Sequence, residues 1–420
     1  MSIEGTPNLS YREALRDRRV AGLMLGDLLA NAGTGMLIVA MPVQTLSIHG
    51  SLPKAVAIGL VEAAPFILAT VLALSIGLGR VRIPPRTLLV ADCVLRALTF
   101  AALGFLAITE RLTLPVLIGG LLFGSVFRMA GASSRRLLAT SIAGERGQFA
   151  VNGLLGVNAT FALYIVGPVL GGIIVATTGA GTALFFDALG ALILLGAVLV
   201  SVPATTAKAV RETHAGTARA PESGWSILRR RPVAVQLLIV TFFFNFFYMP
   251  IEIVLPLYVG ETLGTDASGL GLMWGALGLG AFAGAALVNQ LRNLPQRHVL
   301  IAIIGLWAAC PIALALTSDL TVALVVFGLG GLVWAPFTPV AYSFLQAGLR
   351  EDEQQQVVTL WTTGSAVAGP LGLIIGGPLI ALAGITGGLV VSGVLTLLLL
   401  PIAALAVLRR APRTAMMTNA

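Results

Sequence analysis

The sequence predicts an all-α, polytopic membrane protein with twelve transmembrane helices in two pseudo-symmetric six-helix bundles. Three observations lead there. Of 420 residues, 57% are hydrophobic and 10% charged, with a mean hydropathy of +0.95, more apolar surface than a soluble protein of this length could hide. Twelve apolar runs approach or exceed the roughly 20 residues a helix needs to cross a bilayer. Lysine and arginine concentrate in alternate segments between those runs, the positive-inside pattern.

The runs have approximate cores at 20–46, 54–78, 87–108, 113–138, 150–176, 182–202, 233–258, 269–290, 298–317, 320–345, 357–383 and 386–408. Ahead of them, Tyr11–Arg19 reads as a short basic amphipathic helix on the membrane surface. The first run is too long for a signal-peptide core and is expected to stay uncleaved. A polar, basic interruption at 203–231 separates a first bundle, 1–202, from a second, 232–420. Its end, Leu228-Arg229-Arg230-Arg231-Pro232-Val233-Ala234, echoes Leu15-Arg16-Asp17-Arg18-Arg19-Val20-Ala21, so each half opens on a basic segment feeding its first span.

With both termini in the cytoplasm, inside segments hold 22 Lys and Arg, outside segments hold only Lys54 and Arg111, and Arg96 and Arg128 fall within spans. That split predicts a multi-pass protein of the cell membrane, with the lipid bilayer as its surroundings. The sequence pI near 10.3 therefore reflects basic loops, and nucleic acid is not an expected partner. Cys93 and Cys310 lie within apolar runs and imply neither a disulfide framework nor a metal site. His49, His214 and His298 lack metal-ligand spacing. No Gly-x-x-x-x-Gly-Lys-Ser/Thr element cradles a nucleotide, and no serine or cysteine has the setting of a nucleophile. Neither an enzyme, a cofactor nor a bound metal is expected.

The chain is organised around Gly153–Gly172, an uncharged stretch closing on Gly167-Pro168-Val169-Leu170-Gly171-Gly172. Proline there bends a helix, and the glycines admit a close neighbour. A related pattern returns about 200 residues later as Gly369-Pro370-Leu371-Gly372, followed by Gly376-Gly377-Pro378. Matching broken helices in two halves suggest a duplicated transporter body.

Six spans plus six, a central loop and the Gly-Pro-x-x-Gly-Gly element in span five resemble the major facilitator superfamily, where that element is an antiporter signature. Asp92-Cys93-Val94-Leu95-Arg96-Ala97, Phe186-Asp187-Ala188 and Leu255-Pro256-Leu257-Tyr258-Val259 are similar to its drug, siderophore and macrolide secretion branch. The resemblance implies a secondary transporter working as a monomer, with Gly167, Pro168, Gly171 and Gly172 in the conformational motif. The family's acidic and basic loop between spans two and three is degenerate here, with Val81 at the acidic place. Gly77, Arg82 and Arg86 survive of it, and the cytoplasmic latch is expected to be weaker or built from other residues.

Charges inside spans are costly and mark cavities or partners. Asp27 lies two turns into span one, with Asn31 on the same face. It is the expected main proton carrier, or else a hydrogen-bonded acid holding span one to a neighbour. Arg128 is expected to tune that acid or hold an anionic group, unless it snorkels to the interface. Glu62 and Glu252 are further proton-coupling candidates. Asp92 and Arg96, at i, i+4, read as a pair within one helix, and Asp187 as a packing or capping acid near the outer end of span six. In span seven, Phe242–Tyr248 carries six aromatics around Asn245. With Trp334 of the broken segment Trp334-Ala335-Pro336 in span ten, Asn31, Asn245, Phe246 and Tyr248 are the expected substrate contacts, able to stack on a flat organic molecule.

The function expected is proton-driven export of a hydrophobic or amphipathic small molecule, such as a drug, antibiotic or siderophore, by alternating access. Uptake symport or lipid flipping in the same fold, and a non-transporting membrane sensor or assembly partner, are the alternatives.

Overall fold

The computed structural model describes residues 9–77, 83–202, 224–291 and 293–408. Among them all regular structure is helical. The expected gate residue Arg82 and most of the central segment 203–231 lie outside the described residues.

Ten apolar helical stretches among the described residues are long enough to cross a membrane. Two are too long for one crossing: Leu114–Thr178 with 65 residues and Gln356–Ala404 with 49. As straight helices they would run about 98 and 74 Å. Each is cut by one glycine, Gly144 (φ 65°, ψ 179°) and Gly384 (φ 74°, ψ 178°), in a conformation that a side chain would strain. The chain reverses there, and ten stretches make twelve spans.

The spans are α1 (Arg18–Ile48), α2 (Lys54–Gly77), α3 (Pro85–Ile108), α4 (Leu114–Gly124 continuing from Arg128 to Gly144), α5 (from Gly144 to Thr178), α6 (Ala180–Ser201), α7 (Pro232–Leu257), α8 (Ala267–Leu291), α9 (Gln296–Ala315), α10 (Leu320–Trp334 and Phe337–Ala347), α11 (from Glu351 to Gly384) and α12 (from Gly384 to Leu397, then Leu399–Leu408). Local chemistry fixes several starts. Asp17 accepts from the Arg19 N–H at 2.8 Å ahead of α1, and Asp319 from the Val322 N–H at 2.9 Å ahead of α10, the usual N-cap exchange. Before α8, the Ser268 hydroxyl and N–H hold the Asp266 carboxyl below the usual carboxylate range.

Two expectations need correction. The basic segment at 11–19 is not one helix. Tyr11–Ala14 makes a single turn, and Asp17 then caps α1. This turn docks on the protein: the Leu9 N–H donates to the Arg146 carbonyl at 2.9 Å, and Tyr11 covers Gly153 so closely that a methyl there would sit 2.6 Å from its hydroxyl. In α7, the two prolines leave the helix continuous to Leu257, and the irregularity falls beyond it, in a π-helical turn at Tyr258–Thr262. The break in α10 between Trp334 and Phe337 is where the sequence puts it.

Packing repeats between the halves. α1 packs on α5 and α6, as α7 packs on α11 and α12. The halves meet through two matching seams, α5 on α8 and α11 on α2, and glycines make both possible. A methyl on Gly172 would sit 2.7 Å from the Ala267 carbonyl, and one on Gly271 2.5 Å from the Pro168 carbonyl. In the other seam, a methyl on Gly59 would sit 2.5 Å from the Leu373 carbonyl and one on Gly377 3.0 Å from the Ala55 carbonyl. Gly167 and Gly171 use the opposite side of the same motif, against Gly35 and Met36 of α1. The Gly-Pro-x-x-Gly-Gly element thus binds α5 to its own half on one face and to the other half on the next.

Both seams lie toward the ends of α2 and α8 where Lys54 and Ala267 begin them, away from the basic loops. The mouth there is spanned by Lys54 and Glu261, 2.7 Å apart and each 49% exposed, an arrangement worth about 0–1 kcal/mol. At the basic end, Glu353 ties α11 to the start of α7. Burial pushes its pKa up, but the Arg350 N–H and the Arg231 guanidinium, 2.8 Å away, outweigh that and hold it below the usual carboxylate range.

Candidate functional site

A cavity of about 140 Å³ sits just inside the closed seams. Its polar wall is built from both halves: Thr34 of α1, Glu62 of α2, Arg128 of α4, Tyr164 of α5 and Glu252 of α7. Phe66, Phe100 and Trp274 supply aromatic wall. Glu62 lies one turn from the seam glycine Gly59. Glu252 precedes Ile253, whose side chain would meet a methyl on Gly59 at 3.2 Å. The seam therefore delivers the two carboxylates to one space, where the Glu252 charge acts on Glu62 and both feel Arg128. Arg128 lies over the Phe66 ring, its guanidinium carbon 4.8 Å from the centroid, a cation–π contact. The Tyr248 hydroxyl faces Glu252, and the Tyr248 ring stacks on Trp334 at 5.5 Å and lies 5.6 Å from Trp307.

Asp27 belongs to a different cluster. Its carboxylate is 1% exposed, 2.8 Å from the Arg135 guanidinium and 3.1 Å from the Asn158 amide, which also donates to the Met24 carbonyl. Asp27, Arg135 and Asn31 border a separate, roomier cavity of about 510 Å³ beside Ser133 and Arg136. The expectation that Arg128 acts on Asp27 is corrected: Arg135, two turns further along α4, holds that place.

The expected pair of Asp92 with Arg96 is corrected too. Arg96 reaches across from α3 to α6. Its Nε donates to Asp187 Oδ2 at 2.8 Å, and its terminal nitrogen bonds Asp187 Oδ1, Thr34 and the Ala30 carbonyl. Asp187 is fully buried and two turns inside α6, so it caps nothing. Asp92 Oδ1 finds no partner among the described residues. Its carboxylate lies over Gly131 of α4, where a methyl would come within 2.5 Å of it.

Of the expected substrate contacts, Tyr248 and Trp334 stand directly behind Glu252. Asn245 and Phe246 do not line its cavity. Asn245 donates to the Thr241 carbonyl one turn back in its own helix at 2.8 Å, and Phe246 packs among Phe242, Phe243 and Phe247. Asn31 lines the Asp27 cavity instead. Of the loop residues, Gly77 ends α2 and Arg86 donates to the Val202 carbonyl at 3.1 Å, tying α3 to the end of α6. Sequence reasoning missed Thr34, Tyr164, Trp274, Asn158 and the pairing role of Arg135. Tyr164 carried the one usable signal, as the only tyrosine of the Gly153–Gly172 stretch.

The family model for the Major Facilitator Superfamily matches residues 23–295 and 253–416. The chain belongs to the Major Facilitator Superfamily. It is 31% identical over 377 residues to the multidrug efflux pump Tap of Mycolicibacterium fortuitum, covering 86% of this chain and 89% of that one. It is 25% identical over 383 residues to the pump of the same name from Mycobacterium tuberculosis, covering 86% and 87%. Among solved structures it is similar to a bacterial homologue of the iron transporter ferroportin in an inward-facing state, with a TM-score of 0.71, 16% identity and 93% and 99% of the two chains covered. The POT family transporter PepTSo gives 0.71, 10%, 93% and 97%. These structures share the superfamily's fold, and the chain is a multi-pass membrane protein of that fold.

Proposed function

We propose that this protein is a secondary active exporter that moves a hydrophobic or amphipathic small molecule out of the cell against an inward flow of protons. The observation that carries the reading is the Glu62–Arg128–Glu252 constellation. Two carboxylates, one from each half, meet a single fixed cation at the point where the halves close. Charges so placed in a membrane serve transport more readily than packing. The names of its efflux-pump relatives support the direction. The 22-to-2 distribution of basic residues supports cytoplasmic termini, so that this structure is closed to the outside. Binding of a drug-sized molecule calls for a larger space than the 140 Å³ cavity, and rocking of the halves about the glycine seams would enlarge it. The aromatic groups behind Glu252 suit a flat organic substrate. A monomer suffices, since both carboxylates come from one chain.

In this reading the proton carriers are Glu62 and Glu252, and Asp27 is their partner on the cytoplasmic side. Expressed in cells depleted of their own pumps, the protein lowers retention of fluorescent drugs, and an uncoupler restores it. Glu62→Gln and Glu252→Gln abolish uphill efflux. Unchanged retention across the panel with confirmed membrane expression would reject export, and full efflux by both variants would reject the carrier assignment.

A further inference from the structure

We propose that Glu62 and Glu252 are not two proton sites but one, assembled only when the halves close at the outer end, so that uptake of one proton and closure of that end are a single equilibrium. The inference rests on the alternating-access reading above and adds to it where the coupling proton sits and what it controls.

Three features of the structure lead to it. The first is ancestry by half: Glu62 rides on α2 and Glu252 on α7, and both line one small cavity. The second is the lever. Glu62 is one turn from Gly59, which packs on the Leu373 carbonyl of α11, and Ile253 beside Glu252 fills the same junction against Gly59 and Gly376. The residues that close the seam are thus the neighbours of the residues that carry the charge, and closure cannot occur with the carboxylates apart. The third is the charge count. The groups facing the pair are Thr34 from α1, Arg128 from α4, Tyr164 from α5, Trp274 from α8 and Tyr248 from α7 itself, while α11 presents the Leu373–Gly377 seam. Arg128 is the one fixed charge in that set. Behind it stand Asp92 and the Arg96–Asp187 pair, the latter already neutral.

Two carboxylates and one guanidinium leave one negative charge in a small cavity between the halves. Like charges sharing such a site do not both ionise, and the shared proton belongs to the pair rather than to either residue. When the seam opens, the carboxylates separate on their own halves, water enters, and the proton is released to the outside-facing solution or exchanged for substrate. The closed form binds more protons, so falling pH favours it and rising pH opens it.

The test needs no substrate. Cys93 and Cys310 are buried, so spin labels go on Ser51→Cys and Ser318→Cys, exposed loop positions on either half at the outer end. In lipid nanodiscs, the distance distribution is measured between pH 5 and 9. The wild type moves from the short to the long population as pH rises, by up to about tenfold per pH unit for one linked proton. Glu62→Gln and Glu252→Gln each stay short across the range. A distance distribution that ignores pH in the doubly labelled protein with both glutamates intact would overturn the inference. So would a wild-type response retained by both glutamine variants. Loss of drug export in cells with this pH response intact would reject the export reading alone.

Discussion

At the residue scale, the informative quantity is which acid meets which base. The sequence supplied the participants, since Asp27, Glu62, Asp92, Arg96, Arg128, Asp187 and Glu252 all stand out as charges in apolar runs. It did not supply the pairing. Asp92 and Arg96 have ideal spacing on one helix, yet Arg96 bonds Asp187, 91 positions away. Helical spacing measures opportunity within an element, whereas α3 and α6 are brought together by tertiary packing that spacing does not encode. Removing one partner of so buried a pair leaves an uncompensated charge, a loss of about 3–5 kcal/mol. Arg96→Leu is accordingly expected to lower the folded yield in detergent sharply, and Arg96→Leu with Asp187→Leu to recover most of it. Equal instability of the single and double variants, followed by fluorescence-detected size exclusion, would show that the pair is not what holds α3 to α6.

At the element scale, Gly167-Pro168-Val169-Leu170-Gly171-Gly172 was legible as a close-packing motif, and its role as a two-faced seam needed the structure. Gly167 and Gly171 serve α1, and Gly172 serves α8. A methyl on Gly172 would stand 2.7 Å from a backbone carbonyl that cannot rotate away, and one on Gly377 would meet the Ala55 carbonyl at 3.0 Å. Gly172→Val and Gly377→Val are therefore expected to leave each half folded and membrane-inserted while cutting transport at least tenfold, because the outer end no longer closes. Efflux at the wild-type rate with normal expression would mean that these seams do not gate. A second feature of α5 gave no sequence signal. The π-helical segment Ala159–Val166 lies between Asn158, which binds Asp27, and the Gly-Pro pair, and it carries Tyr164 into the Glu62 cavity. Its residues are ordinary helix formers in an apolar run. The widened turn packs against α1 and α8, and π-type irregularities gather at functional sites.

At the scale of the whole molecule, the architecture was almost fully readable: twelve spans, six in each half, and their limits within a few residues. Hydropathy sets spans because the bilayer leaves no other way to satisfy the backbone. The site was readable only in part. Glu62, Arg128, Glu252, Tyr248 and Trp334 converge as neighbours, whereas Asn31, Asn245 and Phe246 fall elsewhere, since which face of a helix points inward depends on the bundle it joins. What the whole adds is a state. The molecule is closed at the end away from its basic loops, with one carboxylate from each half behind the closure and the Asp27–Arg135 cluster in a separate cavity. In the proposed cycle a proton gradient drives an amphipathic molecule through this state. The most direct measurement uses purified protein in proteoliposomes made acidic inside and diluted into alkaline buffer with a fluorescent amphipathic dye outside. The expected result is dye accumulation that a protonophore abolishes and that the double variant Glu62→Gln with Glu252→Gln does not show. Accumulation of the same extent with no pH difference, or undiminished in the double variant, would contradict it.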